Sequence, residues 1–274
     1  MSNASSRSRF ASLSRRALTS LSLTCVLFLC GGMQAAWAVP NAQEILALSD
    51  EVRNPGKSFS LKVDLVGYKQ GKADESSTLI LYSRADPTRG QFRSLLRYVS
   101  PERDAGKLTL KSGKDLWVYD PNGKASIPIS PQQRLLGQAS NGDVMTVNWA
   151  LDYDATLVAE DTIVDGERQS RETYKLRLTA RRPDVSYSAI DLWVDRQGYR
   201  TRKALFYASS GELLKTAYYR RYQQALGRDR PTETVIIDGL NAQWVTVMRW
   251  SDFAWRNVPE AWLQRDYLPR FRAE

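Results

Sequence analysis

The sequence predicts an α+β protein, mainly antiparallel β, built as one large and strongly curved sheet with few helices. Three observations carry that expectation. Residues 58–65 alternate without exception, with Phe59, Leu61, Val63 and Leu65 set between Ser58, Ser60, Lys62 and Asp64. A period of two with one apolar side is the signature of a half-exposed antiparallel strand. Apolar or alternating runs recur at short spacing, at 78–82, 92–99, 107–110 and 116–119, then 174–179, 190–195, 203–207, 213–222, 232–237 and 243–250. Turn residues separate them, and Gln197-Gly198 and Ser210-Gly211 mark hairpins. No repeat, Gly- or Pro-rich linker or break in composition divides the chain, so a single domain is expected over residues 39–274.

Residues 1–38 are read as a cleaved export signal. Arg7, Arg9, Arg15 and Arg16 form a basic region without an acid, residues 17–32 are mostly apolar, and Ala36-Trp37-Ala38 offers a cleavage site with small residues. The apolar stretch is shorter, and more broken by Ser and Thr, than the ~20 residues a membrane-spanning helix needs. Ser14-Arg15-Arg16-Ala17-Leu18 fits a twin-arginine signal loosely and an ordinary basic region equally well. Leu29 precedes Cys30 where a lipoprotein signal has a small residue, so no lipidation is expected. The mature chain is therefore expected in the periplasm, beginning near Val39.

The first mature element is a helix. Asn41 caps it, Glu44 completes a capping-box pattern, and Ile45, Leu48 and Val52 recur on one face until Asn54-Pro55-Gly56 stops it. A second helix is expected after the strand at 116–119. Ser130 would cap it, Pro131 would occupy its first position, Leu135 and Leu136 would be its apolar content, and Asn141-Gly142-Asp143 would break it. Lying between strands, it is positioned to cover a concave sheet face. A last short helix is expected from about Pro259, with Ala261, Trp262 and Leu263.

Composition narrows the chemistry. The 274 residues contain no histidine, and both cysteines, Cys25 and Cys30, lie in the signal. Ser-His-Asp and Cys-His catalysis are excluded, zinc loses its usual ligands, and no disulfide or cofactor is expected in the mature chain. Removing the signal leaves 35 basic and 30 acidic residues, a net charge of +5 instead of +9. The excess is spread along the chain, so no nucleic-acid footprint is indicated, although peripheral contact with an anionic membrane is compatible with it. Asp152 with Asp154, and Asp161 with Asp165, read better as solvated loop ends than as paired catalytic carboxylates. Arg181-Arg182 and Arg220-Arg221 read first as solubilising charge and second as headgroup contacts.

Several segments, in order, resemble the outer-membrane lipoprotein-sorting (LolA-like) family in its longer form. They are Leu116-Trp117-Val118-Tyr119-Asp120-Pro121, then Ile127-Pro128-Ile129-Ser130-Pro131 followed by Leu135-Leu136-Gly137, then Arg230-Pro231-Thr232-Glu233. Trp250-Ser251-Asp252-Phe253-Ala254, Asn257-Val258-Pro259 and Tyr267-Leu268 complete the match. The resemblance implies an unclosed β-barrel whose concave face is covered by helices. It also implies a carrier, not an enzyme, that holds lipid or lipoprotein acyl chains and works with an inner-membrane transporter. An accessory lipid-binding subunit docked to an inner-membrane exporter is the alternative. No family cavity arginine can be matched to this sequence. Expected cavity residues are instead taken from apolar strand faces: Phe59, Leu61, Val63 and Leu65 first, then Leu96, Leu108, Leu110, Trp244 and Met248. Leu135 and Leu136 are assigned to the lid. For each residue taken alone, plain core packing is the commoner role of an apolar strand position.

Overall fold

The computed structural model describes residues 41–88 and 90–272, all within one compact unit, Pro40–Glu274. The export signal expected at 1–38 lies outside the described residues. Helix α1 (Ala42–Arg53) opens on the predicted capping box. Asn41 Oδ1 accepts from the Glu44 amide at 2.9 Å, and Glu44 returns the bond to the Asn41 amide at 3.0 Å. Arg230 ties down the other end, donating to the Val52 carbonyl at 2.8 Å.

The first half of the sheet is a meander of β1 (Phe59–Lys69), β2 (Lys72–Ala85), β3 (Phe92–Ser100), β4 (Leu108–Ser112), β5 (Asp115–Asp120) and β6 (Ala125–Pro128). Residues 129–152 then leave the sheet as an insert. They form β7 (Arg134–Leu136), β8 (Ala139–Ser140), α2 (Asn141–Val144) and α3 (Trp149–Asp152). The chain re-enters the sheet through β9 (Tyr153–Val164), β10 (Ser170–Ala180), β11 (Ala189–Asp195), β12 (Thr201–Tyr207), β13 (Leu213–Ala225), β14 (Arg228–Asp238) and β15 (Trp244–Trp255).

Strand β15 pairs with β1, with Leu65 opposite Met248 and Val63 opposite Trp250. Among the described residues this joins thirteen strands in one antiparallel sheet, ordered β6-β5-β4-β3-β2-β1-β15-β14-β13-β12-β11-β10-β9. The terminal strands β6 and β9 do not pair with each other. The sheet is thus the expected unclosed barrel.

Two apolar clusters lie on its two sides. The larger fills the concave side, where Phe59, Leu61, Val63, Leu79 and Leu81 meet Ile45 and Leu46 of α1 and Leu136, Val144, Met145 and Trp149 of the insert. The smaller lies on the convex side. There Tyr82, Leu95, Leu108, Leu110 and Tyr119 are covered by Val258, Trp262, Leu263, Leu268 and Phe271 of the C-terminal segment. Trp262 stands edge-on to both Tyr82 and Phe271, with ring centroids 5.3 and 4.9 Å apart.

One helix expectation is corrected and another is refined. Where a helix was expected from the Ser130 cap to the break at Asn141, the chain forms the short hairpin β7–β8, in which Arg134 pairs with Ser140 and Leu136 with Ala139. Gly137 turns that hairpin at φ +53°, a conformation that glycine adopts without strain. The helical turn comes later, where a break was expected. Ser140 caps α2, its amide and hydroxyl both donating to Asp143 Oδ2 at 2.8 and 2.9 Å. The helix expected near Pro259 is a pair of 3-10 turns, Glu260–Leu263 and Arg265–Arg270.

Candidate functional site

The insert lies across the concave face and is pinned at both ends. At the α3 end, Gln43 of α1 donates to the carbonyls of Ala150 and Tyr153 at 2.7 and 3.2 Å, and Asp50 accepts from the Ala150 amide at 2.7 Å. Burial raises the Asp50 pKa above the ordinary carboxylate range, against the pull of Arg53 beside it. Arg53 lies over the Trp149 ring at 3.7 Å, and Trp149 packs edge-on against Phe206 and Tyr219.

At the α2 end the anchor is one carboxylate. Asp143 accepts from the Tyr187 hydroxyl at 2.5 Å and from Lys215 Nζ at 2.5 Å, and Lys215 also donates to the Gln138 carbonyl at 3.0 Å. Burial and the adjacent Asp143 charge hold the Tyr187 phenol well above its usual pKa, so it acts as a hydrogen-bond donor. Gly142 lets α2 abut the β10–β11 loop: a Cβ at this position would lie 2.9 Å from Ser186 Cβ and 2.1 Å from its hydroxyl oxygen.

Between insert and sheet remains a cavity of about 130 Å³. Its apolar wall includes Phe59, Leu61, Leu81, Met145, Phe206 and Met248. Around it stand Lys111 of β4, Lys114 of the β4–β5 turn, and Arg182 and Asp184 of the β10–β11 loop. A cavity of roughly 150 Å³ is large enough for benzene. The space in this conformation therefore suits one ring or a few methylenes, not a complete acyl chain.

The expected residues separate into five groups. Phe59, Leu61 and Met248 are on the cavity wall. Val63, Leu65 and Leu96 share the concave side but are fully buried in its close-packed part and do not line the space. Leu108 and Leu110 are corrected: the β3–β4 register places them level with Leu95 and Arg97, so they face the convex cluster under Trp262. Trp244 is corrected as well; it begins β15 beside the β14–β15 turn, is 36% exposed and does not line the cavity. Leu135 and Leu136 do belong to the covering insert, packed on the concave cluster from a strand instead of a helix.

Sequence reasoning missed the part of the wall contributed by Met145, Trp149, Tyr153, Tyr187, Phe206 and Tyr219. Phe206 and Tyr219 were legible as inward positions of alternating strands. Met145 and Trp149 carried no periodic signal, because the insert follows neither a helical nor a strand repeat.

The acid pairs hold structure. Asp152 accepts from Gln91 and Arg182, and Asp154 pairs with Arg181. Asp161 accepts from the Trp193 indole at 3.0 Å. Asp165 binds two turn amides and Arg171. Among the described residues, no group of three or more His, Cys, Asp or Glu is placed to hold a metal ion.

With this geometry established, comparison with known proteins is direct. A family model described as "-like: Uncharacterized protein" matches residues 90–270. A LolA superfamily protein from Nitrosomonas europaea is 32% identical, with a TM-score of 0.75 over 83% of this chain and 99% of that one. A candidate outer membrane lipoprotein-sorting protein domain from Vibrio parahaemolyticus matches at 18% identity and TM-score 0.69, over 84% and 98% of the two chains. A DUF1329 family protein from Desulfovibrio piger gives 22% and 0.70, over 83% and 97%. The last two share the fold. No curated protein matches the chain.

Proposed function

This chain belongs to the LolA superfamily, and we propose on that footing that it is a periplasmic carrier of lipid or of the acyl chains of lipoproteins. In this reading residues 1–38 are removed on export, and the remaining single domain receives cargo from an inner-membrane transporter and moves it toward the outer membrane. The observation that carries the proposal is the apolar cavity left between the concave sheet and its insert. A carrier needs no reactive group. It needs a surface that replaces water around methylenes, worth about 0.8 kcal/mol per CH₂.

Size determines how such a carrier works. A C16 chain represents a gross term of about 12 kcal/mol, and it does not fit a space of about 130 Å³. The insert has to move. We place the release at its α2 end, which is held by side-chain bonds such as Asp143 with Tyr187 and Lys215, Thr146 with Ser83 and the Gln138 amide with Thr246, whereas α3 is bound to α1 and β9. Hydrogen bonds to charged groups contribute about 1.5–3 kcal/mol each, so a buried chain outweighs them. A membrane offers cargo nearly the same apolar term, so transfer runs on small differences among donor, carrier and acceptor.

The test is native mass spectrometry of protein purified from the periplasm without detergent. The expected result is a chain beginning near Val39 that carries one or more acyl-lipid masses, lost on organic extraction. A bare chain that also takes up no palmitate after extraction contradicts the proposal.

A further inference from the structure

Among the described residues two cations on the cavity, Lys111 and Lys114, make no hydrogen bond or ion pair, and of the two only Lys111 is partly buried. Lys111 projects from β4 beside Leu116, its cross-strand neighbour, and both line the cavity. Among the described residues its ammonium makes neither a hydrogen bond nor an ion pair. The nearest opposing charges, Asp152 and Asp184, are both engaged by Arg182 at 3.3 Å. Asp152 also accepts from Gln91 at 3.0 Å. Lys114 adds a second positive charge at the exposed end of the β4–β5 turn. The rim therefore carries three cations against two anions, and the acids are already committed to the arginine.

The placement is that of an amphiphile's boundary. Inward from Lys111 the wall is Leu116, Leu81 and Phe59; outward it is Lys114, Arg182 and water. Partial burial lowers the Lys111 pKa, as expected for a cation partly withdrawn from water without a counter-ion in contact. An unpaired, partly buried cation at the mouth of an apolar cleft is a candidate functional group.

We propose that Lys111 receives the anionic head of the cargo, a carboxylate or a phosphate attached to an acyl chain, while the chain occupies the apolar wall. This rests on the carrier reading above and adds the charge class of its ligand. A neutral lipid of equal chain length would bind through the wall alone. The two anion sources share one chemistry, a compact oxyanion at the end of an alkyl chain, and they are separable by probe.

The experiment measures displacement of the neutral fluorophore N-phenylnaphthylamine from lipid-free protein by dodecanoate, dodecyl phosphate and dodecanol. Dodecanoate, dodecyl phosphate or both should bind about tenfold more tightly than dodecanol, the gain expected from one charge-assisted hydrogen bond. Preference for one anion over the other identifies the source. In Lys111→Gln that gap should vanish with dodecanol affinity unchanged, and the melting temperature should hold or rise. Lys111→Arg keeps the charge and should keep the gap. Equal affinity for all three probes, or a gap that survives Lys111→Gln, overturns the assignment to Lys111 while leaving the carrier reading intact. Failure of dodecanol and both anions to bind overturns the carrier reading and this inference together.

Discussion

Replacing Leu61 by arginine is expected to abolish lipid retention while leaving a folded protein. Leu61 lines the cavity and is 6% exposed, so a long side chain there has adjoining space through which its charged head reaches water. The guanidinium would then sit where methylenes are proposed to lie. Val63, two residues on along the same strand face, supplies the control. It is fully buried, does not line the cavity, and has Leu79 opposite it on β2. Val63→Arg forces a charge into close packing and should cost several kcal/mol, enough to prevent folding. Lipid carried on purification and thermal melting separate the two variants. A Leu61→Arg protein that melts normally and still carries its lipid would remove this wall from the binding site.

A large loss of stability on the convex side is expected from Trp262→Ala. Trp262 is buried on the convex side, with Tyr82 and Phe271 against its ring and Arg256 over it at 5.6 Å. Removing a buried tryptophan costs about 3–5 kcal/mol, and here it also uncovers Leu95, Leu108 and Leu110. Chemical denaturation should show the loss, and lipid uptake under native conditions should persist because the sheet stands between this cluster and the cavity. Unchanged stability would show that the C-terminal segment is not a structural cover.

How much of this was readable in advance depended on periodicity. Strand β1 was legible because its two faces differ at every step, and α1 because Asn41 and Glu44 spell its cap. Strand β9 was not. It is an edge strand, exposed at most of its positions, and Leu157-Val158-Ala159 lie together in solvent, so no alternation marks it. The convex cluster did leave a signal that was passed over. Leu79-Ile80-Leu81-Tyr82 and Leu95-Leu96 are consecutive apolar residues, the mark of strands buried on both faces. That signal would have separated Leu108 and Leu110 from the cavity. The helix expected between Ser130 and Asn141 had plausible starting residues but only Leu135 and Leu136 as apolar content, too few to fix a period. Wall and core could not be told apart at all. Leu61 and Val63 have the same pattern, and the difference between them is set by what the insert fails to fill.

The central claim is that cargo enters by release of the α2 end of the insert, and a reversible cross-link tests it most directly. Gly142 and Ser186 face each other across that contact: a Cβ added at Gly142 would lie 2.9 Å from Ser186 Cβ, so a displacement of about 1 Å would bring an introduced pair to the ~3.8 Å of a disulfide. Both native cysteines lie at or before position 30, so a Gly142→Cys/Ser186→Cys protein produced from Val39 onward contains only the introduced pair. Palmitate uptake by the oxidised and reduced forms of this variant is the measurement. The account predicts that the oxidised form takes up none and that reductant restores uptake to the level of the unaltered protein. Uptake by the oxidised form equal to that of the reduced form would contradict it.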